Sequence, residues 1–546
     1  MYIRVKTTPN SPRKSVQIVS CVRRGDKVSQ QIQRHVGIAM DDQELASLKV
    51  LARQIIEKLK EEEQPSFPMF APESLQKKEA IEEAELKVDL RDLREEQRTI
   101  EGIHEIGGAL FHELGFDKLF GKSKRSQGTT EVLKNVVLAR LAQPVSKFRT
   151  AQLLENDFGI RVPVDRIYRM MDQIVPRIED IKEAVARQSM GLLGGNVDVL
   201  LYDVTTLAFE SQRSDELRNF GYSKDKKFNE VQVVLALATT KEGLPVWYEV
   251  FEGNTAETKT MIPALKQLSK RFSVKDIICV ADRAMLNSDN VKELEDCGFR
   301  YVLGKRLRTM SVKQKNEILE CKNKKDCSSQ FSFEVALRGT ERLIVVYSPE
   351  RAAKDQADRA RTLDKLRKKL KSNKTHTASL ISNKTAKKFM VEEIQGEISL
   401  NSTKIKEDAK WDGLYGICSN DPSLTHEKII SIYKNLWHIE AAFRLSKHDL
   451  KMRPIYHYNA DRIKAHCAIC FLTFSLAKHL EHRVLIQQTS MSFAKIQQIL
   501  FSVQATILRH VSTKALYKIP SKMCLDAKKI YSAMGIKRSV IPSKIY

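Results

Sequence analysis

Residues 196–208 read NVDVLLYDVTTLA, and this stretch decides the fold. Side chains along a strand alternate with period two, so Val197, Val199, Leu201 and Asp203 share one face while Asp198 points the other way. An aspartate that continues an apolar row is the feature to explain. Two more apolar runs follow, FNEVQVVLALATT at 228–240 and LPVWYEVFEG at 244–253. The first two runs are apolar enough to be central strands of a sheet. A helical pattern from Thr258 to Phe272 leads to DIICVADR at 276–283, a second helical pattern covers Ser288 to Cys297, and YVLGKR at 301–306 closes the series.

Three strands, helix, strand, helix, strand predicts an α/β domain with an RNase H-like mixed sheet. Asp282 ends the fourth strand, and if that strand lies parallel to the first, Asp203 and Asp282 converge. Carboxylates buried at strand ends are costly unless positive charge sits between them. A divalent ion is the simplest partner, since Mg²⁺ takes oxygen ligands from one or two carboxylates plus substrate phosphate. The alternative for either residue is a strand-end aspartate that caps a loop or pairs with Arg283.

Beyond Arg306 comes a basic stretch to residue 410, read as a β-rich insertion with a hairpin in FSFEVALRGTERLIVVYS and a charged helix in PERAAKDQADRARTLDKLRKKLKS. GLYGICSN at 413–420 resumes the main sheet. SLTHEKIISIYKNLWHIEAAFRLSKHDL at 423–450 then predicts one long amphipathic helix, capped by Ser423 or Thr425. On it Tyr433, Leu436, Glu440, Arg444 and Lys447 recur at steps of three and four and so share a face. A carboxylate beside Arg and Lys suits a metal ligand among phosphate-binding groups. A solvated stripe of paired charges is the bland reading of the same spacing.

The remaining regions are less eloquent. YIRVKTT, KSVQIVSCVRR and KVSQQIQRHVG predict strands around an Arg24-Gly25-Asp26 turn, with a helix from Asp42 to Glu63. The expected divisions are 1–63 for this hairpin-plus-helix module, a linker at 64–74, a helical region at 75–190 that includes a charged helix from Leu75 to Thr99, the first part of the RNase H-like core at 191–305, the insertion at 306–410, the second part of the core at 411–480, and a C-terminal helical region at 481–546. Within 129–190 a helix-turn-helix placing Arg166 and Arg169 on DNA competes with an ordinary helical hairpin.

With 92 Lys and Arg against 68 Asp and Glu, the formal charge is +24 among 546 residues, which favours a polyanionic partner, nucleic acid first. The polar opening YIRVKTTPNSPRK is unlike a secretory leader, and the apolar run Ala468–Ala477 falls short of the roughly 20 residues that cross a bilayer, so no membrane association is expected. His466, Cys467 and Cys470 in HCAIC lack a second pair at zinc spacing, so they read as core. Trp437 is expected to be buried on its helix, with stacking on a base as the alternative.

The three acidic blocks, YDVTTLAFES around Asp203, VADRAMLNSDN around Asp282 and YKNLWHIEAAFRLSKHDLKMRPIYHY around Glu440, resemble the catalytic blocks of insertion-sequence DDE transposases of the group whose third block reads Y-R-E-K. GYSKDKKFNEVQVVLALATTKEGLPVWYEVFEGNTAETKT is also similar to that group, and the likeness spans roughly residues 100–480. It implies an enzyme that cleaves DNA at transposon ends and transfers strands, with Asp203, Asp282 and Glu440 as catalytic metal ligands for two Mg²⁺ or Mn²⁺ ions, roughly 3.5–4 Å apart in such sites. Tyr433 and Lys447 match the group's DNA-contacting Tyr and Lys. The group's Arg would stand at Leu436, and Arg444, one turn beyond Glu440, is the expected substitute. The resemblance also implies a homodimer on two DNA ends, while nine scattered cysteines and an opening unlike a secretory leader point to a reducing cytosol and so to a cytoplasmic, nucleoid-associated protein. The competing readings are a metal-dependent nuclease without strand transfer, and a DNA-binding protein whose catalytic site has decayed.

Overall fold

The computed structural model describes residues 2–7, 14–24, 27–39, single positions between 45 and 56, and 88–545 except 122, 194–197, 223–228, 272–277, 283–287, 338–340, 372–387, 393–397 and 488–490. The predicted linker at 64–74 and the part of the predicted charged helix before residue 88 lie outside the described residues. The chain divides into two compact units, Met1–Lys87 and Val88–Tyr546.

In the first unit, β1 (Tyr2–Thr7), β2 (Lys14–Arg24) and β3 (Lys27–Ala39) form an antiparallel sheet, with Arg24 paired to Lys27 across the expected turn. Val16, Ile18 and Ala52 are buried there, and Leu45, Leu48 and Ile56 pack on them at helical spacing.

The second unit opens with β4 (Leu93–Ile100) and then runs through α1 (Gly102–Glu113), α2 (Lys124–Ala142), α3 (Lys147–Phe158), α4 (Val164–Ile174) and α5 (Ile178–Leu192). Ser123 and Ser146 cap α2 and α3, each accepting from the backbone N–H three residues on. The expected helix up to Thr99 is a strand over Leu93–Ile100. Glu and Arg favour helices only weakly, and antiparallel pairing with a strand near the other end of the unit overrides that preference.

The main sheet is assembled from β5 (Val199–Ala208), β6 (Gln232–Thr240), β7 (Pro245–Glu252), β8 (Ile278–Ala281), β9 (Arg300–Lys305), β10 (Phe331–Ala336), β11 (Arg342–Tyr347) and, after the short ladder of β12 (Met390–Glu392) and β13 (Ile398–Leu400), β14 (Leu414–Ser419). Its order is β10-β11-β14-β9-β8-β5-β6-β7; β8 runs parallel to both β5 and β9, and the other pairs are antiparallel. Helices α6 (Met261–Arg271) and α7 (Ser288–Asp296) form the crossovers on either side of β8.

The hairpin expected inside a separate β-rich insertion instead extends this sheet. RLIVVY in β11 is apolar on both faces, and only an internal strand covers both. The rest of that region is largely helical, with α8 (Val312–Asn323), α9 (Pro349–Lys371) and α10 (Ser402–Ala409) beside the β12–β13 ladder.

Chain alternation splits the sheet's side chains between two cores. Leu201, Leu207, Val280 and Val302 face a large cluster shared with the helices, while Leu200, Tyr202, Val204, Cys279 and Ala281 face a smaller one that holds Leu265, Leu268 and Leu294 of α6 and α7. The first face is covered by α11 (His426–Lys434), α12 (Leu436–Arg444) and α13 (Ala460–Gln487). HCAIC lies in α13, and His466, Cys467 and Cys470 are buried with no disulfide among the described cysteines, as expected of core residues.

The unit ends with α14 (Phe493–Phe501), β15 (Gln504–His510), β16 (Leu516–Pro520), α15 (Leu525–Ala533) and β17 (Ser543–Ile545), the strands joining β4 in the order β17-β16-β15-β4. The tail, expected to be helical with one strand-like stretch in ATILRHVS, carries three strands beside its helices, and β15 covers most of that stretch. No helix among the described residues is long and apolar enough to cross a membrane.

Candidate active site

Asp203 sits in the middle of β5, and it is the one position of that strand that is not fully buried. Parallel pairing sets Tyr202 beside Ala281, so the next step along each strand brings Asp203 alongside Asp282, on neighbouring chains about 4.8 Å apart. Both follow residues that face the second core, so both point to the face covered by α11 and α12. The backbone N–H of Val204 donates to Asp203 Oδ1 at 2.7 Å, which fixes one carboxylate oxygen. Residues 283–287, including the Arg283 considered as a partner, lie outside the described residues.

The expected single helix after residue 423 is broken. Thr425 caps α11, accepting from Lys428 N at 3.3 Å, and Asn435 turns the chain into α12, its N–H bonding back to the Ile432 carbonyl at 3.1 Å. A wider π-helical turn over Leu445–Asp449 follows α12. The face expected to run from Tyr433 to Lys447 is thereby divided in three.

Tyr433, on α11, places its hydroxyl 3.4 Å from Asp282 Oδ1, where it donates to the carboxylate. On α12, Ile439, Ala442 and Phe443 are buried, and Glu440 and Arg444 are exposed on the flank of that stripe. Leu436 packs against the core, so a cation at that position would be drawn into apolar surroundings. Lys447 stands in the π turn and lines a different cavity from the one beside Asp282. Trp437 is exposed rather than buried, its ring lying 3.7 Å from that of His438. Burial, with Lys478 nearby, lowers the His438 pKa, so this imidazole stays neutral near pH 7.

Asp282 and Tyr433 line a cleft of about 610 Å³ whose far wall belongs to the expected insertion. Its cations, among them Arg306, Arg308, Arg351 and Lys388, belong to the stretch read as basic in the sequence, which singled out none of them. Arg308 and Lys388 both pair with Asp408, and Arg359 holds Asp412 at 2.5 Å. Burial alone would raise the Asp408 pKa, but Lys388 and Arg308 outweigh it and hold the carboxyl low. Arg351 lies over the Tyr415 ring at 4.9 Å.

Among the described residues no three His, Cys, Asp or Glu form a ready-made metal cluster. The two aspartates nevertheless fit a hard divalent ion. Both offer oxygen only, they stand side by side, and an ion of the Mg²⁺ type draws its remaining ligands from water and substrate phosphate. The cleft's Arg and Lys side chains are of the kind that pairs with phosphate oxygens, although Arg308 and Lys388 already hold Asp408.

Residues 197–476 match the family described as the transposase DDE domain. No curated protein matches the chain. Among solved structures, the piggyBac transposase synaptic complex with hairpin DNA is similar at 11% identity and a TM-score of 0.37, over 73% of this chain and 77% of that one.

Proposed function

This chain belongs to the DDE transposase family and is a DNA transposase, and from that premise we propose that Asp203, Asp282 and Glu440 are its catalytic carboxylates. The observation that carries this is the parallel β5–β8 register, which sets Asp203 beside Asp282 on the face packed by α12, the helix of Glu440. The strand order β7-β6-β5-β8-β9, with β6 antiparallel to its neighbours, supports reading this part of the sheet as an RNase H-like core. We also read the third block as a Y-R-E-K block in which Arg444 replaces the Arg missing at Leu436.

Asp203, with one oxygen oriented by the Val204 N–H, would be a ligand for two Mg²⁺ or Mn²⁺ ions. Asp282 and Glu440 would complete the two sites. Divalent ions bound there would supply activation of water and later of the freed 3′-hydroxyl, and stabilisation of the leaving oxygen. Tyr433 orients Asp282. Arg444 and the cations of the adjoining cleft hold DNA phosphates against the carboxylates, so that attack occurs in line. No covalent link between protein and DNA is needed. Acting on two ends calls for a homodimer on DNA.

The test is cleavage and strand transfer on DNA carrying the element's ends, with Mg²⁺ or Mn²⁺. Asp203→Ala, Asp282→Ala and Glu440→Ala should each lower the rate by at least about a thousandfold, because several kcal/mol of transition-state stabilisation is lost, while DNA binding persists. Full activity in any one variant removes that residue from the site. A wild type that cuts but never joins a precut end to target DNA would favour a nuclease.

A further inference from the structure

Away from the carboxylates, a second cavity of about 920 Å³ is walled by the start of α3, by α13 and by the segment 447–457. Its charged lining is basic throughout: Arg140, Lys147, Arg149, Lys447, Lys451 and Arg453, with no Asp or Glu among the described lining residues. Lys147 is its buried cation beside Arg140. The side chain is only 3% exposed, and Nζ lies 3.2 Å from His466 Nδ1. His466 Nε2 lies 3.1 Å from the Met452 carbonyl, which can only accept, so Nε2 carries the proton and Nδ1 offers its lone pair to Lys147. Among the described residues, that neutral ring is the acceptor for one of three ammonium N–H bonds. An ammonium buried without an anion is costly.

Two features aim the cavity at an anion. Lys147 is the first residue of α3, a helix of 12 residues whose positive dipole end opens on this cavity; Ser146 Oγ takes the Arg149 N–H, and Lys147 and Phe148, ahead of it in the first turn, line the space. Arg140 lies beneath, donating to the carbonyls of Leu450, Lys451 and Val145 at 2.8, 3.1 and 3.4 Å. That bracing fixes the segment carrying Lys451 and Arg453, and Lys451 is held at φ +42, a left-handed conformation costing about 1 kcal/mol for an L-residue.

We propose that this cavity is a phosphate seat for the DNA strand, in which Lys147 and the first turn of α3 grip one backbone phosphate apart from the catalytic carboxylates. The proposal rests on the reading of DNA as substrate. It carries a proton signature. Burial, and then Arg140, lower the Lys147 pKa to about 7, so above that pH the free protein holds a neutral amine and an arriving phosphate draws a proton onto it. The facing groups do not blur the effect. Arg140, Arg149, Lys447, Lys451 and Arg453 are cations, burial holds His457 at about 4 and His466 well below its usual range, and burial pushes the Cys467 thiol up beside Cys470.

DNA binding by fluorescence anisotropy, without divalent ions, tests this across a KCl series at pH 6.5 and 8.5. Wild type should bind more weakly at the higher pH. Lys147→Met should bind about tenfold more weakly at pH 6.5, the loss of one charged hydrogen bond, with a salt slope smaller by about 1 and no Lys147-dependent pH response. Lys147→Arg should keep the affinity and lose the pH response. Without DNA, Lys147→Met should melt no lower than wild type, because Met fills the same space without a buried amine, which separates lost contact from lost fold. Inorganic phosphate at matched ionic strength should weaken wild-type binding more than that of the Met variant. DNA binding by Lys147→Met with wild-type salt slope and pH response overturns the seat alone, whereas a wild type that binds no DNA overturns the functional reading along with it.

Discussion

A carboxylate in the middle of β5, between strands that are otherwise buried, lowers the stability of the sheet that holds it. Asp203→Asn keeps the shape and removes the charge, so it should abolish cleavage while the melting temperature without divalent ions stays level or rises. A melting temperature that falls would mean the carboxylate holds the sheet together. Arg444→Ala should cost about tenfold in DNA affinity, the value of one charged hydrogen bond, and an unchanged affinity would end its role as the substitute cation. Asp203 and Asp282 were legible in the sequence because strand periodicity is strict and each terminates or interrupts an apolar row. Arg306, Arg351, Lys147 and His466 were not, because they come from elements far apart in the chain and gain meaning only when the fold brings them to one wall.

Among elements, strands are easier to read than the connections between them. β5 to β9 match the apolar runs closely, since each buries both faces or one face in strict alternation. The break at Asn435 leaves no such mark, because Asn is tolerated within a helical pattern as well as at a turn, and β4 reads as a helix because its charges suit one equally well. Helix α5 is tied to β7 by Lys182, which is 1% exposed, lies 2.7 Å from Glu249 Oε2 and sits 4.6 Å above the Trp247 ring. Lys182→Met should lower unfolding free energy by about 2 kcal/mol, less than the loss of a wholly buried pair because Glu179 and Glu249 reach solvent. A shift of the urea midpoint at constant slope measures it, and an unchanged midpoint would show the pair to be idle.

At the level of the molecule, the second unit is closed by its two ends. Arg538, 3% exposed on its side chain, donates to Glu101 at 2.6 Å and to the Gln504 and Ser521 carbonyls, tying the start of α1 to the β15–β16 region. Removal of residues 504–546 should leave β4 as an unpaired edge and yield aggregated protein on size-exclusion chromatography; a soluble, cooperatively unfolding product would show the sheet to be dispensable. That closure also sets a clock on synthesis. Thr99 bonds to the carbonyl of Ala505, 406 residues later. At roughly 5–20 residues per second, β4 waits on the order of 20–80 s for its partner to leave the ribosome. A message cut short near its 3′ end would therefore yield a chain that holds Asp203, Asp282 and Glu440 but lacks the strand that pairs with β4, so the last stretch to be translated bears on residues made long before it.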